Sequence, residues 1–223
     1  MPYINWLILF FVHFALFFLI KTNKEQKLNV SVVSSNLLVI YAFHIISYLI
    51  ISYFDIRFIT SILITSSVYL VYYFLSKKSF NNFKFNSLKL SHIIIVSLSA
   101  VIFAFLVKSL YSTTKFEYLD YYIIDYGYVY AFTFICLIPS IFEEVFFRSH
   151  ILNLLSVNFS KINSIIISSV LFGIAHFIFL PIISFVYLFI MGCILGYIKL
   201  KFKNIIYCII FHLMYNTLVV IIL

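Results

Sequence analysis

The chain has 223 residues, of which 65% are hydrophobic and only 10% charged, with a mean hydropathy of +1.15. Soluble domains sit near roughly 45–50% apolar and about 25% charged, so a water-soluble globular fold is excluded and an integral membrane protein is indicated. The formal net charge of +8 is not arranged in the basic and aromatic pattern of a nucleic-acid binder, so no nucleic-acid partner is expected.

Apolar windows fall at 3–20, 29–54, 58–76, 92–111, 131–155, 162–180, 182–199 and 205–223. At roughly 20 apolar residues per crossing, these predict an all-α, polytopic transmembrane bundle of about eight spans, with residues 1–223 forming one membrane domain and no separate soluble one. The first window lacks the basic region and small-residue cleavage site of a signal peptide and is read as a retained span. Lys21, Lys24 and Lys27 lie in the first connection, Lys77, Lys78, Lys84 and Lys89 in the third, Lys161 in the fifth, and Lys199, Lys201 and Lys203 at the seventh. The even connections hold only Arg57, then Lys108 and Lys115, then neither Lys nor Arg. Because Lys and Arg in short loops mark the cytoplasmic side, the odd connections are expected in the cytoplasm and both termini outside. The protein is then a multi-pass protein of the cell membrane, and its partner is the bilayer itself, with some attraction to anionic lipid. The fourth connection, YSTTKFEYLDYYIIDYGYVY, has the Tyr density of an interfacial belt and carries Glu117, Asp120 and Asp125. Abundant Ile, Phe, Lys, Asn and Tyr with scarce Arg, Ala and Gly fit an AT-rich, bacterial genome. Cys136, Cys193 and Cys208 all fall in apolar segments without C-x-x-C spacing, so small core residues are expected rather than a disulfide or a thiolate metal site.

Against this background the stretch F-E-E-V-F-F-R at 142–148 stands out. Every other Asp, Glu, Lys and Arg lies in a connection or at a span end, whereas Glu143, Glu144 and Arg148 lie inside a window. There an ionised group costs roughly 2.5–3.5 kcal/mol on insertion scales. Glu144 and Arg148 are four apart, share a helix face and can neutralise each other. That leaves Glu143, about 100° further round, with no partner at such spacing and available as a general base. Two later windows add polar pairs on single helix faces: Phe172 with His176 in SSVLFGIAHFIFL, and His212 with Asn216 in IIFHLMYNTLVV. His13, His44 and His150 are read as packing residues. Helix counting sets Glu143, His212 and Asn216 near mid-membrane but His176 toward the outer end of its span. Tilt, a short helix or a displaced boundary must bring the pieces together.

In order along the chain, Glu-Glu-x-x-x-Arg (Glu143, Glu144, Arg148), Phe-x-x-x-His (Phe172, His176) and His-x-x-x-Asn (His212, Asn216) resemble the CPBP intramembrane proteases, the CaaX-protease and bacteriocin-processing or Abi family. The resemblance covers roughly 130–220, with all seven motif positions matched. It implies an intramembrane endopeptidase acting on a membrane-associated protein or peptide. In eukaryotes the family includes the enzyme that removes the last three residues of prenylated CaaX proteins. Bacterial members are linked to bacteriocin immunity and peptide maturation.

The residues support such chemistry on their own terms. Amide hydrolysis needs an activated water, a stabilised oxyanion and a protonated leaving amine. Glu143 can take the proton of water with His176 positioning it, Glu144 and Arg148 can hold and tune Glu143, Phe172 can support the site or the substrate, and His212 and Asn216 offer N–H donors for the oxyanion. Glu143, His176 and His212 could instead ligate a catalytic zinc with one position open. The metal-free reading is favoured, because the metal-binding H-E-x-x-H helix is missing, with zinc as the alternative. A serine nucleophile has no suitable glycine turn, and Asp120 and Asp125 fall outside the windows. A proton-conducting transporter would want paired broken helices, and a non-catalytic immunity or binding protein would not need all seven residues.

Overall fold

The computed structural model describes residues 87–110, 127–157, 159–177 and 182–222. The windows at 3–20, 29–54 and 58–76, the Tyr-rich connection up to residue 126, and His13, His44 and Pro181 lie outside the described residues. Within them the chain is helical: α1 (Leu90–Leu110), α2 (Tyr128–Leu155), α3 (Lys161–Phe177), α4 (Ile182–Phe202) and α5 (Ile205–Ile222). Leu90–Leu110, Tyr128–Leu155 and Ser184–Phe202 are long and apolar enough to cross a bilayer, while α3 and α5 are shorter apolar helices.

Composition explains why these are membrane helices rather than a soluble core. Along α1, Val96, Ala100, Phe103, Ala104 and Val107 form a buried stripe at helical spacing, but the opposite side is also apolar, with Leu98, Ile102 and Leu106 all more than half exposed. A helix apolar on every side needs lipid on the face that protein does not cover. The buried stripe packs on α5, where Phe103 meets Phe211 and Tyr215 with ring centroids 6.2 and 5.4 Å apart.

The lysine-bearing ends are tied together. Lys203 adopts the left-handed conformation (φ 52°) that ends α4, its N–H donating to Lys199 O, and Asn204 then caps α5 by accepting from the Ile206 N–H at 3.1 Å. Asn204 Nδ2 also donates to Ser87 Oγ (3.3 Å), and the Lys89 N–H donates to the Tyr207 hydroxyl (2.8 Å). The N-termini of α1 and α5 therefore lie at one end and the two helices run parallel. The third and seventh connections share that end, as their lysines require.

Helices α3 and α4 form an antiparallel hairpin. A Cβ on Gly192 would stand 2.8 Å from the Ser169 Cβ, and one on Gly173 would stand 2.9 Å from the Phe185 ring. Small residues let apolar helices approach closely where no hydrophobic force drives them together. The hairpin lies on α2, with Ser168 Oγ donating to Phe147 O and the Phe147 and Phe172 rings edge to face at 5.2 Å.

Helix α2 is not uniform. Its turns widen to a π-helical pattern at Phe132–Leu137 and Val145–Ile151, on either side of an α-helical piece, Ile138–Glu144. Pro139 has no N–H and its ring would strike the carbonyl four residues back. The first widening precedes it and relieves that clash. The second follows Glu144 and contains Arg148, and such local π turns often occur at functional positions.

Candidate active site

Seven side chains from three helices converge between α2, α3 and α5. Arg148 Nη1 lies 3.2 Å from Glu144 Oε1, the one-turn ion pair expected from their spacing. The same oxygen is 2.8 Å from His212 Nδ1 on α5, a contact that no spacing within one helix could reveal. Glu144 is fully buried, with Arg148 1% and His212 2% exposed. The Arg148 guanidinium also lies over the Phe172 ring, 4.3 Å from its centroid. This cation–π contact matters because Nε, Nη1 and Nη2 make no directional hydrogen bond. Ion pairing and the aromatic face together hold the cation in a dry interior.

Glu143, left without a partner by its own helix, finds two across the interface. Its Oε2 is 3.2 Å from His176 Nε2 and 3.9 Å from His212 Nε2. The tautomers follow from the other ring nitrogens. His176 Nδ1 lies 2.8 Å from Phe172 O, and a carbonyl only accepts, so Nδ1 carries hydrogen. The Nδ1 of His212 likewise donates to the Glu144 carboxylate. In their neutral forms both imidazoles thus turn an Nε2 lone pair toward Glu143, and three acceptors face one another. Such a cluster calls for a proton, or a species carrying one, among them. Glu143 and His176 are its accessible members, with side chains 16% and 23% exposed, while the remainder forms the buried support.

Despite the depth expected from helix counting, His176 and Glu143 meet, with Nε2 3.2 Å from Oε2. Helix α3 is described over Lys161–Phe177, 17 residues or about 25 Å. Being antiparallel to α2, it brings His176 beside Glu143, near the middle of the 28-residue α2. Phe172 is fully buried beneath the cluster, 4.6 Å from the His176 ring and edge-on to His212 at 6.0 Å. Asn216, one turn beyond His212, donates from Nδ2 to Ser140 Oγ at 3.3 Å. His150 is buried beside Phe146. Cys136, Cys193 and Cys208 are free thiols, with Cys136 and Cys208 in the core.

A zinc ion would take Glu143, His176 and His212 as ligands. Two donors about 2.1 Å from a tetrahedral zinc stand roughly 3.4 Å apart. The Glu143–His176 distance suits this and the Glu143–His212 distance exceeds it. Among the described residues, no group of three or more His, Cys, Asp or Glu is arranged to hold a metal ion.

Comparison with curated proteins and with solved structures gives no match. Residues 125–218 match the family described as Rce1-like, type II CAAX prenyl endopeptidase, a span that holds all three motifs and helices α2 to α4 with most of α5. The part of the chain that assembles Glu143, His176 and His212 thus lies within a segment that matches the CPBP, or CAAX, protease family.

Proposed function

We propose that the chain is an intramembrane endopeptidase in which Glu143 activates water for attack on a peptide bond of a membrane-associated protein or peptide. The observation that carries this reading is the Glu143 carboxylate facing Nε2 of both His176 and His212. A water held there can give one proton to Glu143 while its oxygen adds to the scissile carbonyl carbon. The carbonyl oxygen becomes the oxyanion, to which the second Asn216 N–H can donate. With its Nδ1–H committed to Glu144, His212 can donate to that oxyanion only from Nε2, and only when both ring nitrogens carry protons. Collapse of the intermediate breaks the C–N bond, and the proton taken by Glu143 passes to the leaving amine, directly or through His176. Glu144 fixes the His212 ring and Arg148 neutralises Glu144.

Substrates in this reading are CaaX-type tails or peptides undergoing maturation, in a multi-pass protein of a bacterial cell membrane. Purified protein in liposomes is incubated with a peptide pool that includes prenylated CaaX peptides, with and without chelator, beside Glu143→Ala. Glu143-dependent cleavage that survives chelation is expected. Loss to chelator with recovery on adding zinc would assign Glu143, His176 and His212 as ligands. No cleavage by either the parent or Glu143→Ala would instead favour a non-catalytic immunity or binding protein.

A further inference from the structure

Two polar rungs join α2 to α5. Glu144 meets His212, and one turn away on both helices Ser140 meets Asn216. The two helices are antiparallel, so the spacing of His212 and Asn216 on α5 is copied by Ser140 and Glu144 on α2. Three of these four residues belong to the motifs, and Ser140 does not.

Ser140 is fully buried, and its hydroxyl accepts an N–H from Asn216 Nδ2 at 3.3 Å. A primary amide has two N–H groups. Binding one to Ser140 fixes the amide plane about its last torsion, which is otherwise broad, and commits the second N–H to one direction. Ser140 is also three residues before Glu143, so one segment of α2 carries both the base and the anchor of the opposing donor.

We propose that Ser140 is a positioning residue for peptide hydrolysis, orienting the Asn216 amide toward the oxyanion. The inference rests on the endopeptidase reading. A preorganised donor acts mainly on the transition state, so its loss shows in kcat rather than KM.

The test is a double-mutant cycle with the full-length protein in liposomes, using one peptide chosen from the cleaved pool. Ser140→Ala should lower kcat about five- to tenfold, the rate equivalent of one hydrogen bond, with KM nearly unchanged. In an Asn216→Ala background the same change should cost nothing further, and Ser140→Thr, which keeps the hydroxyl, should restore kcat. If Ser140→Ala does not fold, the nearly isosteric Ser140→Cys takes its place with the same expectations. Multiplying losses in the double variant, or a change in KM alone, overturns the role of Ser140 while leaving the protease reading intact. Absence of any Glu143-dependent cleavage by the parent overturns both.

Discussion

Glu143 and Glu144 are adjacent in sequence, yet their surroundings give them different work. Glu144 is sealed between Arg148 and His212, while Glu143 keeps an exposed edge beside His176. Removing one member of a buried ion pair strands the other charge, at a cost of about 3–5 kcal/mol. Arg148→Met and Glu144→Gln should each lower the thermal unfolding midpoint markedly, and the double variant should lose less than the sum of the two; simple additivity in detergent unfolding would argue against the pairing. Glu144→Gln should also reduce turnover, because it alone loosens the His212 ring. The Glu144–Arg148 pair was legible from spacing, since i and i+4 share a face. The partners of Glu143, and the Asn216–Ser140 bond, were not. A sequence shows which residues share a helix face but not which face of another helix lies opposite.

Among the elements, the α3–α4 hairpin carries His176 to its place, and its close packing depends on residues with little or no side chain. Overpacking a well-filled interface typically costs about 1–3 kcal/mol. Gly192→Val should therefore destabilise the protein and misplace His176, lowering activity as well as the unfolding midpoint. Ile190→Val, on the exposed face of α4, should leave both nearly unchanged; equal effects of the two would show that the hairpin interface is not a close contact. Helix positions were readable because apolar runs between polar breaks mark them. The windows at 92–111, 131–155, 182–199 and 205–223 each agree with a helix to within three residues at either end. The window at 162–180 likewise covers α3, described over Lys161–Phe177. The widened turns of α2 were not legible, because Pro139 shows where a regular helix must yield but not by which device.

At the scale of the whole molecule, the ends bearing Lys89, Lys199, Lys201 and Lys203 lie together, through Asn204, Tyr207 and Ser87. In a background lacking native cysteines, Ser87→Cys and Lys203→Cys should be labelled from the same side of the membrane, and from the cytoplasm if the lysine asymmetry sets orientation; labelling from opposite sides would contradict the parallel arrangement of α1 and α5. The described helices, like the matched family segment, belong to the second part of the chain. The eight-span count from composition extends to windows outside the described residues.

The central claim is that Glu143 is the base. Replacing its carboxylate by an amide preserves shape and removes proton acceptance, so the most direct measurement is the cleavage rate of Glu143→Gln against the parent in the same liposomes, with unfolding midpoints recorded for both. General base catalysis contributes typically about 10²–10⁴-fold. A loss of at least that order with an unchanged midpoint is expected, whereas a Glu143→Gln protein that folds normally and cleaves at the parental rate would show that Glu143 is not the base.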